Sequence, residues 1–193
     1  MVRWGRVVLW LVLLIPAALY LVQVLVGQAH LADLLHTTGE LSARLMISAM
    51  ALTALRLAFP RVRWLAWLRG HRRDLGVAAF VYAVLHTVFY LGDMQTLANV
   101  LAELGAVGIW TGWLALGLFI PLAATSNAYS VAWLGGRWYS IHWLVYPAAV
   151  LILVHWMTIH SNVVLAWVHF VPLIILEVYR VFYILRKKQQ PAS

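Results

Sequence analysis

The protein has 193 residues, of which 64% are hydrophobic and only 10% are charged, with a formal net charge of +8. Soluble domains are about half apolar and a quarter charged, so this composition excludes an ordinary water-soluble domain, a disordered chain and a disulfide scaffold. The absence of cysteine excludes thiol catalysis and cysteine-ligated metal clusters, and the spread of basic residues between apolar runs argues against nucleic-acid binding.

Six apolar segments are each long enough to cross a bilayer, which takes about 20 residues. In chain order the predicted spans are residues 7–26, 41–59, 74–92, 106–125, 140–160 and 163–184. Lipid offers no hydrogen-bond partners to the backbone, so each span is expected to be a helix. We therefore predict an all-α, six-helix membrane bundle that forms one domain over residues 1–193. The first span is longer than a signal-peptide core and is expected to be retained.

Lysine and arginine indicate the orientation of the bundle. They cluster before the first span, between the second and third, between the fourth and fifth, and after the sixth. An even number of spans puts these regions on one side of the membrane, and positive charge marks that side as the cytoplasm. Both termini are therefore predicted to be cytoplasmic. The connections on the opposite side carry acidic residues and no lysine; these residues are Asp33, Glu40, Asp93 and Glu103.

Two of the eight histidines lie deepest in the predicted spans. His86 is roughly 18 Å along the third span and His155 is roughly 22 Å along the fifth, at 1.5 Å per residue. These two spans run in the same direction, so the imidazoles reach similar depths. Two histidines at one depth on different helices favour axial ligation of a haem, whereas zinc would need further ligands. A helix–helix hydrogen bond is the alternative reading of each histidine.

A second redox centre is considered around His142, which lies roughly 20 Å before His155 on the fifth span. Pro147 lies between these histidines and is expected to kink or unwind the helix. His71 is the nearest candidate for the opposite axial ligand, and a solvated interfacial side chain is its alternative reading.

Three arginines are candidate cofactor contacts. Arg72 and Arg73 begin the third span, where helix-end N–H groups favour anions, although the positive-inside rule alone also explains them. Arg44 lies near the outer end of the second span, and we expect it to bind a haem propionate or to reach lipid phosphate. Glu177 and Arg180 are expected to form a pair within the sixth span.

Two segments of the chain resemble the ferric-reductase-type transmembrane haem domain: residues 72–90, RRDLGVAAFVYAVLHTVFY, and residues 135–157, GGRWYSIHWLVYPAAVLILVHWM. Together with HTTGELSAR at residues 36–44, they resemble more narrowly the MsrQ (YedZ) family of haem-binding membrane subunits. The resemblance covers essentially the whole chain.

The resemblance implies a function and site residues for this chain. It implies b-type haem with His86 and His155 as axial ligands, and it makes His142 a further haem-linked histidine. It associates Arg72 and Arg73 with FMN or another flavin at the cytoplasmic face. Relatives in the wider superfamily have a second histidine on the third span, at an offset where this chain has arginine.

The resemblance also implies partners and a location. Members of the MsrQ family lie in the bacterial inner membrane and pass electrons from a cytoplasmic flavin source to a periplasmic molybdenum-containing partner, MsrP, which reduces methionine sulfoxide. We expect a cytoplasmic flavin reductase or the quinone pool as donor, since the chain ends soon after its sixth span. The expected role is that of an electron-transfer subunit, not of the catalytic one. The alternatives are a stand-alone ferric reductase, a quinone-linked cytochrome b and a transporter that uses histidine relays.

Overall fold

The computed structural model describes residues 2–159 and 163–189, which form ten α-helices. The helices are α1 Val2–Leu25, α2 Leu31–Ala58, α3 Arg63–Gly70, α4 Arg72–Met94, α5 Leu97–Glu103, α6 Val107–Ala124, α7 Ala128–Leu134, α8 Gly136–His142, α9 Val145–Ile159 and α10 Val163–Gln189. Within the described ranges the fold is all-α, as predicted.

Six membrane-spanning segments are present in the described part of the chain, and this confirms the predicted number. They are α1, α2, α4, α6, the α8–α9 pair and α10. The second helix begins at Leu31 instead of residue 41, so His36 and Glu40 lie on the helix and not in the connection before it. A helix satisfies its own backbone wherever it runs, and it can therefore extend beyond the apolar segment that hydropathy detects.

The fifth span is divided in two. Helix α8 ends at His142 and α9 begins at Val145, so the break precedes Pro147. Pro147 lies in the first turn of α9, where a missing N–H costs no intrahelical bond. Short helices α3, α5 and α7 lie in three of the connections between spans. Of these, α3 buries Leu65 against Leu52 and Leu75, while Trp64 and Trp67 stay exposed.

Two helix pairs, α2–α4 and α6–α9, share the most extensive contacts of the described structure. Small residues let the backbones approach: Ala43 and Ala79 are buried between α2 and α4, and Ser42 Oγ donates to the Ala79 carbonyl at 2.8 Å. Close packing and interhelical hydrogen bonds replace the hydrophobic effect as the force that joins helices in lipid. Helix α10 packs on both pairs, through α2 and α9.

Helix α1 is attached to α4 by one inserted hydroxyl. The Tyr82 hydroxyl donates to the Leu13 carbonyl at 2.7 Å and accepts from the Ala17 N–H at 3.1 Å. These two backbone groups are four residues apart in α1, beside Pro16, and would otherwise pair within the helix. Tyr82 is 2% exposed, so both hydrogen bonds are shielded from solvent.

A buried carboxylate forms the second attachment of α1. The Asp74 carboxylate forms a salt bridge with Arg6 at 2.8 Å and accepts a hydrogen bond from the Trp10 indole N–H at 3.1 Å. Both partners lie on α1. His71, at the start of α4, contacts the same carboxylate through Nδ1 at 3.0 Å. His71 is thus buried beside Asp74 and Trp67, and it is not the solvated side chain that one reading of the sequence predicted.

We expect the substitution Tyr82→Phe to destabilise the protein by about 0.5–1.5 kcal/mol, because it removes the hydroxyl that joins α1 to α4, while the Leu13 carbonyl and the Ala17 N–H can pair with each other. Unfolding in detergent should show the loss of stability, and hydrogen exchange along α1 should quicken because the helix is held less firmly. Tyr129→Phe is the matched control, since Tyr129 is 77% exposed. Equal stability of the two variants would contradict this account of how α1 is held.

Candidate functional site

His86 on α4 and His155 on α9 face each other across the bundle. Their ring centroids are 6.0 Å apart, and the ring planes are nearly perpendicular at 86°. The structure therefore brings together the two histidines that the matched depths predicted to be close. Each comes from one of the two extensive helix pairs.

Backbone carbonyls orient both imidazoles in the same way. His86 Nδ1 lies 2.9 Å from the Leu35 carbonyl oxygen on α2, and His155 Nδ1 lies 2.6 Å from that of Gly108 on α6. A carbonyl can only accept, so each Nδ1 carries the proton. The lone pair of each neutral ring is then on Nε2, which is the state that a metal ligand needs.

A glycine lies behind each ring, one helical turn after the carbonyl that the ring binds. A Cβ atom on Gly39 would be 3.2 Å from His86 Nδ1, and one on Gly112 would be 2.8 Å from His155 Nδ1. The missing side chains let the imidazoles approach the helix closely enough to reach its carbonyls. Glycine at both positions thus serves close approach and not an unusual φ, and the approach is tighter at Gly112.

The two glycines belong to a Thr-Gly pair that recurs on the two helices. Thr38 precedes Gly39, and Thr111 precedes Gly112; both threonines are buried, at 0% and 1% exposure. Helix pairs α2–α4 and α6–α9 therefore present the same arrangement, a Thr-Gly pair on one helix and a histidine on the other. Sequence analysis missed these residues, although the repeated dipeptide at the end of an apolar span was a visible signal.

A mainly apolar cavity of about 460 Å³ surrounds the two imidazoles. It lies within the size range of cofactor pockets, about 300–1,000 Å³. Imidazole–metal bonds are about 2 Å long, and the ring centre lies roughly 1 Å beyond the bonding nitrogen, so rings on opposite sides of one metal have centroids about 6 Å apart. The observed separation, the Nδ1 hydrogen bonds and the glycines behind the rings all fit a haem held by His86 and His155.

Arg44 is paired within the protein. Its Nη2 lies 2.5 Å from Glu40 Oε2, and its Nε donates to His169 Nε2 at 3.2 Å. Glu40 lines the cavity around His86 and His155, as does His36. His169 stacks on Trp156 and joins α10 to α2 through Arg44.

A second cavity, of about 560 Å³, lies toward the start of α4 and is lined by Arg72, Arg73 and His142. His142 Nε2 is 3.1 Å from the Thr125 hydroxyl, and its ring stacks on Trp138 with centroids 3.8 Å apart. The two predicted arginines and the third haem-linked histidine therefore share one pocket, which we call the Arg72–His142 cavity. His142 and His155 line different cavities.

The Arg72–His142 cavity is also lined by Tyr146, Glu177 and Arg180, which were not predicted as a group. Arg180 pairs with Glu177 at 2.8 Å, which agrees with the expected intrahelical pair, and it also donates to the Tyr146 hydroxyl. Glu177 Oε1 is buried and has no hydrogen-bond partner among the described residues.

His71 is held away from this second site. It does not line the Arg72–His142 cavity, and its ring is engaged by Asp74 on the side of α1. This placement gives no support to His71 as the ligand opposite His142. The sequence predicts an interfacial position for His160, which lies outside the described residues.

Comparisons with known proteins agree with the geometry. Residues 38–153 match the family described as "Ferric reductase like transmembrane component". A protein of Rhodospirillum rubrum is 34% identical over 167 residues, which are 80% of this chain and 76% of that protein. One of Ralstonia nicotianae is 32% identical over 80% of this chain and 72% of its own length. Both are named protein-methionine-sulfoxide reductase heme-binding subunit MsrQ.

The chain belongs to the MsrQ family. An MsrQ protein of Rhizobium meliloti (strain 1021) is 39% identical over 117 residues, and the match spans about half of that relative's length (52%) and 59% of this chain. No solved structure matches the chain. Membership of the MsrQ family and six apolar helices make the protein a multi-pass membrane protein.

We expect Gly112→Ala to lower haem affinity by about tenfold or more, because the new methyl group would displace the His155 ring from the Gly108 carbonyl. Gly39→Ala should have a smaller effect, since its contact is less close. Gly117→Ala on the same helix is the control, because a Cβ there meets nothing within 4 Å. Haem titration of each purified variant measures the difference. Equal affinity of the Gly112 and Gly117 variants would contradict the proposed packing.

Proposed function

We propose that the protein is a b-type haem electron-transfer subunit of a periplasmic methionine sulfoxide reductase. In this proposal it accepts electrons on the cytoplasmic side of the inner membrane and delivers them to a molybdenum-containing MsrP-type partner. The observation that carries the proposal is the pair of facing imidazoles of His86 and His155, 6.0 Å apart with both Nδ1 atoms bonded to carbonyls. The names of the relatives support haem binding and a reductase partner.

The chain's own residues would bind and orient the haem. His86 and His155 would donate their Nε2 lone pairs to the iron, while the Leu35 and Gly108 carbonyls hold the rings in place. The apolar cavity walls would exclude water and match the flat macrocycle. When bound, the haem supplies a one-electron centre that alternates between ferric and ferrous iron.

Arg44 is proposed as a contact of a haem propionate. Glu40 lines the cavity around His86 and His155, and Arg44 forms a salt bridge with the Glu40 carboxylate. The Arg44 guanidinium therefore lies one side chain away from the cavity. Arginine can bind two carboxylates through its separate N–H groups, and a propionate could therefore join the pair with Glu40.

The Arg72–His142 cavity is proposed as the entry point for electrons. Arg72, Arg73 and Arg180 give it a positive charge that would attract a flavin phosphate. His142 is proposed as the ligand of a second haem or as a contact of the donor. No partner histidine lines the cavity among the described residues, and this favours the second of these roles.

A quinol donor is the second candidate, and Glu177 supports it. Its buried Oε1 is an acceptor without a hydrogen-bond donor in the described structure, and it lies in the wall of the Arg72–His142 cavity. A quinol hydroxyl would satisfy it, because a buried acceptor is costly to leave unpaired. The donor would then come from the lipid phase, without a soluble reductase.

The absorption spectrum tests the haem site directly. Purified protein should show the sharp bands of low-spin b-type haem, and His86→Ala and His155→Ala should each reduce haem per chain at least tenfold by removing one axial ligand. His30→Ala is the control, because His30 is exposed at the start of α2. A folded protein that stays colourless with ample haem would refute the proposal.

The entry point is tested by replacing both Arg72 and Arg73 with glutamine. The rate of haem reduction by a flavin reductase and reduced flavin should fall about tenfold, because two charge-assisted contacts to phosphate are lost. The rate with a short-chain quinol should change little. Arg186→Gln controls for net charge, since Arg186 lies in the last turn of α10. An unchanged flavin-dependent rate would leave the two arginines as topology signals only.

A further inference from the structure

We propose that Thr38 and Thr111 set the reduction potential of the haem by sharing the two carbonyl oxygens that orient its axial histidines. They would be positioning residues that act through His86 and His155. The inference rests on the proposed function and adds to it residues that control how readily the subunit takes up an electron.

The same contacts occur at both histidines. The Thr38 hydroxyl lies 2.7 Å from the Leu34 carbonyl oxygen and 3.2 Å from that of Leu35, to which His86 Nδ1 is bonded. On the other helix pair, the Thr111 hydroxyl lies 2.7 Å from the Val107 oxygen and 3.0 Å from that of Gly108, to which His155 Nδ1 is bonded. Each threonine hydroxyl has a single proton, which it shares between the nearer oxygen of Leu34 or Val107 and the orienting oxygen of Leu35 or Gly108. Each orienting carbonyl therefore accepts an imidazole N–H and the longer branch of a threonine O–H.

A carbonyl oxygen has two lone pairs, and one of them serves its own helix. The histidine N–H and the threonine O–H must share the lone pair that remains on the oxygen. A second donor at one oxygen weakens the bond that the first donor makes, so each hydroxyl reduces the pull of the carbonyl on the imidazole proton. Both threonines are fully buried, where a hydrogen bond is stronger than in water and no solvent can take the place of a lost hydroxyl.

The direction of the effect follows from the basicity of the ligand. A stronger hydrogen bond at Nδ1 makes the imidazole more electron-rich, and hydrogen bonding of this kind is one of the means by which a protein tunes a bound metal. An electron-rich ligand stabilises ferric over ferrous iron. Removing a threonine hydroxyl should strengthen the histidine–carbonyl bond and so lower the reduction potential.

The test is the substitution of each threonine by valine, which keeps the shape and removes the hydroxyl. In haem-loaded protein, Thr38→Val and Thr111→Val should each shift the one-electron reduction equilibrium three- to tenfold toward ferric haem; tenfold corresponds to about 59 mV. The shift is measured on the haem whose absorption bands are lost in the His86→Ala variant. The amount of haem bound per chain should stay unchanged in the valine variants. The double variant should show roughly the sum of both shifts.

Two controls separate tuning from packing. Thr37→Val removes an exposed hydroxyl from α2, next to Thr38 but outside the cavity wall, and it should leave the potential unchanged. Thr111→Ser restores the hydroxyl and should restore the potential.

Haem-loaded valine variants with the wild-type potential, or a serine variant shifted as far as the valine variant, would overturn the inference. If Thr111→Val fails to fold, Thr38→Val and Thr38→Ser decide the question. Protein that binds no haem would refute the proposed function itself.

Discussion

The approach of two imidazoles to two helix backbones is the constraint on which the rest of the structure depends. Each ring lies against a helix closely enough to reach a backbone carbonyl one turn before a glycine, and a Cβ at that glycine would crowd the ring. Gly39 and Gly112 provide that room on α2 and α6, and His86 and His155 occupy it from α4 and α9. The separation of 6.0 Å between the rings follows from how these two pairs are joined.

The bundle is built around this arrangement. Helix pairs α2–α4 and α6–α9 form its centre, and small residues such as Ala43 and Ala148 let their backbones approach. Helices α1 and α10 are added at the periphery and expose mostly apolar side chains, as expected of surfaces that face lipid. Polar contacts fix both helices: Tyr82 and Asp74 hold α1, and His169 ties α10 to Arg44. Helix α10 also buries Phe170 and Leu173 in the core.

The two cavities differ in the chemistry of the side chains that line them. The one around His86 and His155 is mainly apolar, which suits a buried macrocycle, whereas the Arg72–His142 cavity is charged, which suits an anionic or hydrogen-bonding donor. In the proposed function, the first cavity would hold the haem that carries the electron and the second would receive the electron from the donor. Two such sites at different depths of one bundle would allow electron transfer across the membrane without moving parts.

Hydropathy and charge along the sequence by themselves determined that six helices cross the membrane, because burial of backbone in lipid leaves no other choice. Helix counting also brought His86 and His155 to one depth, since the rise per residue is constant. It could not show which way either ring points, or that Asp74 binds Arg6 of α1 and Arg44 binds His169 of α10. Those outcomes depend on the rotation of each helix against its neighbours. Contacts between residues far apart in sequence set that rotation, and only the tertiary structure decides it.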